Sequence, residues 1–384
     1  MSKSRTKEMV PAIRFKGFDE EWGGSPLGQV TDVYDGIHQT PTYTDSGVMF
    51  LSVENIETLR SDKFISMASF LKDFKIYPKK NDVLMTRIGD VGTANVVQTD
   101  DIKAYYVTLT LLKFKQLNPY FLKSSISSTS VKKDIWHRTL HIAFPKKINM
   151  NEIVKVTIFS PKSVTEQTKI GKYFQELDAL ITGHRSKQEK LLQIKKSLLE
   201  KMFPKQGQNK PEIRFKEFDG KWIEEELGQV VDVKSGRDYK HLRDGDIPVY
   251  GTGGYMLSVD EALSDDCDAV GIGRKGTIDK PYVLKAPFWT VDTLFYCVPK
   301  LDNELDFVFD VFQRVRWRQM DESTGVPSLS KVAINGIVVK TTKPQEQTKI
   351  GQLFRHLDTL ISQHQSQIDK LNNIKQACLT QMFV

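Results

Sequence analysis

The feature that most constrains this chain is that much of it is written twice. Residues 11–36, PAIRFKGFDEEWGGSPLGQVTDVYDG, return as residues 211–236, PEIRFKEFDGKWIEEELGQVVDVKSG. Pro11, Ile13, Arg14, Phe15, Phe18, Asp19, Trp22, Leu27, Gly28, Gln29 and Gly36 keep their identity in the second copy. A second block, 166–203, EQTKIGKYFQELDALITGHRSKQEKLLQIKKSLLEKMF, returns as 346–383, EQTKIGQLFRHLDTLISQHQSQIDKLNNIKQACLTQMF, with about half its positions identical. Between these blocks the sequence diverges, and only landmarks align, such as Gly89-Asp-Val-Gly92-Thr93 with Gly273-Arg-Lys-Gly276-Thr277. The order is variable, constant, variable, constant. Its period is far longer than the roughly 20–50 residues of a solenoid repeat.

The length of 384 residues calls for at least two cores. The repeats place a first variable domain at 11–162, a first constant helix at 163–203 and a polar linker at 204–210. A second variable domain follows at 211–343, and a second constant helix at 344–384.

The constant blocks carry helix periodicity. Phe174, Leu177, Ile181, His184, Gln188, Leu191, Lys195, Leu198 and Met202 alternate steps of three and four. So do Phe354, Leu357, Ile361, His364, Ile368, Leu371, Lys375, Cys378 and Met382, which is the seam of a coiled coil. Ser163-x-x-Glu166 fits a capping box, and Pro344 suits a first helical turn. Neither helix can bury its stripe alone, so the two are expected to pair with each other.

The variable regions read as mixed and strand-rich. Asp82–Thr86, Tyr105–Phe114, Ala269–Ile272 and Thr290–Val298 are β-rich runs between glycine loops. A helix is expected near the end of each region, around Tyr120–Ser128 and Phe307–Met320. The fold class is therefore α+β, with two domains spaced by long antiparallel helices in a pseudo-two-fold repeat.

A hydrophobic content of 39% with 27% charged residues describes a globular chain. The net charge of +7 suits a polyanionic partner. No run is long and apolar enough for a bilayer, and the polar, basic start has no leader's apolar stretch, so a cytoplasmic location is expected. Cys267, Cys297 and Cys378 lack metal-ligand spacing and are read as reduced, buried thiols.

With these blocks in order, the chain resembles the specificity subunits of type I restriction–modification systems over essentially its whole length. The resemblance rests on the tandem layout, the two EQTKIG…LD helices and the LGQV…G block opening each variable region. Gly271–Thr277 (G-x-G-R-x-G-T) and Thr324–Ser330 (T-G-x-P-x-L-S) match loops of such target-recognition domains. It implies that each domain reads one half of a split site in double-stranded DNA. It also implies that the helices space the domains and dock two modification subunits, with restriction subunits joining through the complex. S-adenosylmethionine, ATP and Mg are expected on those partners, and no cofactor in this chain. The first domain departs from the second: Asp90-Val91 stand against Arg274-Lys275, and Thr324–Ser330 has no good counterpart.

Candidate DNA contacts are Arg87, Gly89, Gly92 and Thr93 in the first domain. In the second they are Tyr250, Thr252, Tyr255, Arg274, Lys275, Thr277, Thr324 and Ser328. Arginine and lysine among glycines can approach phosphates or base edges closely. Val249–Tyr255 reads equally as a plain turn, and its first-domain match, Phe50–Ile56, offers Glu54 and Asn55 to bases or to solvent. Gly271-x-Gly273-x-x-Gly276 formally matches a dinucleotide fingerprint, but Asp279-Lys-Pro281 follows where a helix should open. His184 and His364 read as polar seam positions, with a metal or catalytic pair as the other reading. The basic pairs Lys132-Lys133, Lys146-Lys147 and Lys195-Lys196 read as solvated faces or phosphate contacts. No phosphate loop, methyltransferase tetrad or metal cluster is written in the sequence, so no catalytic or metal-binding residue is expected. A self-sufficient nuclease or methyltransferase, or a coiled-coil scaffold without DNA, are the alternatives.

Overall fold

The computed structural model describes residues 9–300 and 302–384. The basic start of the chain, through residue 8, lies outside them. The protein forms two compact units, one of residues up to His184 with Ser366–Val384, the other of Arg185–Gln365. The division falls inside the two long helices, so each unit holds one variable domain and part of each helix.

The first unit runs β1 (Gly23–Pro26), α1 (Leu27–Val30), β2 (Asp32–Asp35), β3 (Val48–Leu51), β4 (Phe64–Ile65) and α2 (Met67–Asp73). It continues with β5 (Val83–Thr86), β6 (Ala94–Val96), β7 (Lys103–Tyr105), β8 (Leu109–Lys113), α3 (Pro119–Ser127), α4 (Thr129–Arg138), α5 (Met150–Ile153), β9 (Thr157–Ser160) and the start of α6 (Val164–Lys201). Three sheets form, in the orders β1-β9, β2-β8-β5-β6 and β4-β3-β7. Central position explains the sequence: β5 is buried at all four residues, because helices and the neighbouring sheet cover both its faces. The α3 start is pinned by Asn118, whose side chain accepts from the amides of Tyr120 and Phe121, with Pro119 in the first turn.

The second unit has β10 (Ile223–Glu226), α7 (Leu227–Val230), β11 (Val231–Ser235), β12 (Asp244–Gly251), β13 (Gly254–Val259), β14 (Ala269–Gly273) and β15 (Tyr282–Leu284). Then come β16 (Trp289–Thr290), β17 (Leu294–Pro299), α8 (Leu305–Arg314), α9 (Lys331–Asn335), β18 (Val338–Thr341) and α10 (Pro344–Gln381). Its sheets, β10-β18, β11-β17-β14-β15 and β13-β12-β16, repeat those of the first unit strand for strand. Leu112 pairs with both Val33 and Val83 at the centre of one sheet; Cys297 pairs with both Val233 and Val270 at the same place in the other. The architecture is α+β, in two domains of one topology.

The duplicated motifs are structural clamps. Arg14 makes a bidentate pair with Glu166 (2.6 and 2.8 Å), and Arg214 makes the same pair with Glu346 (2.7 and 2.7 Å). Each ties the IRF strip of a variable domain to the first turn of a long helix. The next residue brackets the domain's own helix: the Gln167 side-chain Oε1 accepts from the Asn118 amide, and the Gln347 Oε1 from the Glu304 amide, each at 3.0 Å. Gly171 and Gly351 let the helix touch that bracketed turn, because a Cβ would lie 2.8 Å from the amide nitrogen of Phe121 or Phe307. Ser163 accepts from the Glu166 amide as a cap should, but the Glu166 carboxylate goes to Arg14 instead of closing the box.

Both long helices pair antiparallel within each unit. In the first, Asp178 meets Lys375 (2.6 Å) and Tyr173 meets Cys378; in the second, Asp358 meets Lys195 (2.5 Å) and Gln365 meets Gln188 (2.9 Å). The seam is deepest at its ends. Phe174, Leu177, Leu379, Met382 and Phe383 close over Trp22 in the first unit. Met202, Phe203, Ile350, Phe354 and Leu357 close over Trp222 in the second. At 1.5 Å per residue each helix is about 57 Å long.

One expectation is corrected. Cys267 is exposed, not buried, because it follows Asp265-Asp266 in a polar turn before β14. Its Sγ lies 3.3 Å from Asp266, which holds the thiol above its ordinary pKa. Cys297 is buried in β17, and Cys378 is half-buried on α10. No described helix is long and apolar enough to cross a membrane.

Candidate nucleic-acid interface

Backbone hydrogen bonds fix which loop positions correspond in the two domains. The Arg87 amide donates to the Thr108 carbonyl at 2.9 Å, and the Arg274 amide to Thr293 at 2.8 Å. The Ile148 amide donates to the Arg87 carbonyl, and the Leu329 amide to that of Arg274. The Gly89 amide donates to Lys146, and the Gly276 amide to Pro327. Gly89 therefore matches Gly276, and both have a left-handed φ, 84° and 88°, where side chains are strained. The glycine loops slip by three residues from the alignment that sequence identity suggests. Arg274 stands against Arg87, not against Asp90.

The same bonds supply the missing counterpart of Thr324–Ser330. Lys147 bridges Ile88 as Ser328 bridges Lys275, so residues 143–149 occupy that place in the first domain. Each domain thus sets a glycine loop beside a second loop from the segment before its last strand.

The two arginines at one backbone position have different surroundings. Arg87 is buried, with Nη1 2.6 Å from Asp35 and further bonds to the carbonyls of Ile148 and Val107. In the second domain Ser235 replaces that aspartate, and Phe295 replaces Thr110 beside it on the central strand. The carboxylate is gone, and a buried aromatic residue stands at the paired strand position. Arg274 is turned outward, its guanidinium 5.8 Å from the Phe295 ring centroid, and among the described residues its hydrogen bond is a 3.5 Å contact to the Asp292 carbonyl. A free guanidinium on a loop can grip phosphate or a guanine edge.

Around Arg274 lie Lys275 and, half-buried, Thr277. The facing loop is anchored by Asp321, whose carboxylate accepts from the Ser328 and Ser323 amides; these bonds lower its pKa. Thr324 is exposed, and Ser328 is half-buried with its amide spent on that anchor. The β12–β13 hairpin brings Tyr250, Thr252 and Tyr255 to the same sheet end: the Val291 amide donates to Tyr250, two residues before Thr293 receives Arg274. Tyr250 and Tyr255 meet edge to face at 6.4 Å, and Tyr255 is 63% exposed, which leaves its ring face available.

In the first domain Gly89 is exposed, whereas Gly92 is buried against Ile135 and the Thr93 amide is bound to Thr86. The match of Phe50 with Val249 holds at the parallel pairing of β3 with β7 and β12 with β16. Asn55 is committed to backbone: its side chain accepts from the Ser52 amide and donates to the Arg60 carbonyl. Glu54 is exposed and paired with Lys63. Gly271–Gly276 runs from β14 into a turn that returns as antiparallel β15, so no helix opens there and the dinucleotide match is fortuitous. His184 and His364 are half-buried on the seam.

The signal for the arginine difference stands in the first repeated block itself, where Asp35-Gly36 returns as Ser235-Gly236.

The whole chain is similar to a solved structure, the crystal structure of the type I restriction–modification system S subunit from M. genitalium. The TM-score is 0.75, over 98% of this chain and 99% of that one, at 17% identity. A structure of the type I R-M system described for complex assembly and conformational transition covers 93% of this chain and 96% of its own, with a TM-score of 0.49 at 12% identity. The HsdS subunit from Thermoanaerobacter tengcongensis covers 94% of this chain and 96% of its own, with a TM-score of 0.38 at 14% identity. No family model and no curated protein matches the sequence. The fold is that of the type I restriction–modification S subunit.

Proposed function

We propose that this chain is the DNA-specificity subunit of a type I restriction–modification complex. Each domain reads one half of a bipartite, asymmetric site in double-stranded DNA, and the long helices dock modification subunits. One observation carries the reading. Two domains share a strand-for-strand frame, yet at one backbone position of their sheet-end loops Arg87 is clamped by Asp35 whereas Arg274 is turned outward with a single long carbonyl contact. A frame kept constant under changed tips is what two unlike half-sites require. Phosphate contacts position such a domain, and base-edge contacts specify the sequence.

Arg87 then acts as a support beneath its loop, and Arg274 as a contact. Arg274→Ala should weaken binding to the selected duplex by about 1–3 kcal/mol without moving the unfolding transition. Arg87→Ala should instead cost about 2 kcal/mol of stability, because Asp35 loses a charged hydrogen-bond partner. Fluorescence anisotropy and denaturant titration read the two effects. Exchange of the two outcomes would reverse the roles.

Chemistry is assigned to partners, with S-adenosylmethionine, ATP and Mg bound there. Purified chain should neither methylate nor cut DNA, and should confer sequence-specific methylation when a cognate modification subunit is added. Methyl transfer by the chain alone above contaminant controls would refute the assignment.

A further inference from the structure

The loop matching Thr324–Ser330 in the first domain carries a feature the reading of half-sites does not use. At its tip Ile142 and Phe144 are fully exposed, at 99% and 104% of their free-residue area. A folded chain gains nothing from holding two large apolar side chains in water, and such a patch marks an interaction site. The stem beneath the tip is built. The Leu140 amide donates to the Lys147 carbonyl at 2.7 Å, and Lys147 also bridges Ile88 of the glycine loop. Trp136 at the end of α4 packs against His141 with ring centroids 4.1 Å apart and the planes tilted by 50°, and Lys146 Nζ lies 4.8 Å from the centroid of the Trp136 ring.

The surroundings select the occupant. Lys146 and Lys147 flank the tip, and Lys132 and Lys133 stand exposed on α4. The carboxylates Asp134 and Glu152 are turned onto Arg138, at 2.7 and 3.3 Å, and Asp90 on the glycine loop is exposed. An apolar point within a cationic collar suits duplex DNA better than an apolar protein pocket. The ring can enter between base pairs while the ammonium groups hold phosphates on either side. The second domain keeps a smaller version: Val326, at the place of Pro145, is 65% exposed.

We propose that the loop His141–Lys146 is a wedge that inserts Phe144 between stacked base pairs from the minor groove, beside the half-site read by the first domain. This rests on the DNA-reading function above. The wedge parts one base step and bends the duplex, so that the glycine loop next to it can seat.

The test uses the full chain with its modification subunits and a duplex selected from a random-sequence pool. 2-Aminopurine is placed in turn at each step of the first half-site and its flank. Fluorescence should rise at one step, where stacking is lost. Phe144→Ala should abolish that rise and weaken binding roughly tenfold. The selected sequence should be unchanged, because no base-edge contact is removed. Phe144→Leu should keep part of both signals, and the full exposure of the side chain makes misfolding no explanation for a loss. A Phe144→Ala protein that binds and unstacks as before overturns the wedge but leaves DNA reading intact. Loss of modification-subunit binding with normal DNA affinity makes the tip a protein contact and also overturns it. Failure of the wild-type complex to select any duplex overturns the underlying function instead.

Discussion

Glu346→Ala should remove about 3–5 kcal/mol of stability from the unit spanning Arg185–Gln365, because it takes both carboxylate bonds from a largely buried guanidinium. The Glu346 side chain is 1% exposed, and it receives two bonds from Arg214 and one from Thr342. The pair's own net worth is modest, since desolvating both ions offsets much of their attraction. The cost arises from the asymmetry of removing one partner. Replacing both, as Arg214→Met with Glu346→Met, should therefore recover most of the loss. Glu166→Ala should have the same effect on the other unit, through Arg14. Hydrogen exchange resolved by segment measures each unit separately, which a single global melting curve would not. Losses under 1 kcal/mol, or a double variant as unstable as the single, would show that the duplicated IRF and EQ motifs are kept for another reason.

The constant part of the fold was legible because its physics is local and repeated. The alternation of threes and fours in 174–202 and 354–382 places a stripe on one helix face whatever lies opposite. The runs Val83–Thr86 and Ala269–Gly273 are buried throughout and almost free of polar side chains, because they lie near the centre of a sheet covered on both sides. The loops were less legible because their register is set by long-range backbone bonds. Sequence identity aligns Gly92-Thr93 with Gly276-Thr277, whereas the carbonyls of Thr108 and Thr293 align Gly89 with Gly276. The counterpart of Thr324–Ser330 was hidden because Ala143-Phe-Pro-Lys-Lys147 shares no aligned identity with it; the backbone bonds of Lys146–Ile148 and Pro327–Leu329 reveal the match. Arg87 and Asn55 look like ligand groups by type, but Asp35 and the Arg60 carbonyl hold them. The exposed Cys267 went unrecognised because cysteine type is a weak guide to burial beside two aspartates.

The largest functional effect should come from exchanging a whole reading domain. Replacing residues 211–343 with the second variable region of another chain of this fold should change one half-site completely and leave the other untouched. The exchanged segment ends at Lys343, just before α10, and begins after the polar linker, so the IRF and EQ clamps can form again if the incoming region brings its own arginine. Gly351 must still receive a close helix turn, which sets the incoming helix's spacing from the junction. Sequence readout depends on base-edge contacts within one domain, so no information about the first half-site is carried by the replaced residues.

Methylome sequencing of cells carrying the full complex, with the native chain and with the exchanged one, tests the central claim most directly. The native complex should methylate a single motif made of two unlike half-sites separated by unspecified bases. The exchanged complex should keep one of those half-sites and the methylation, and acquire a new second half. A continuous motif, no motif, or a change in both halves on exchange would contradict the claim that this chain carries two independent DNA-reading domains.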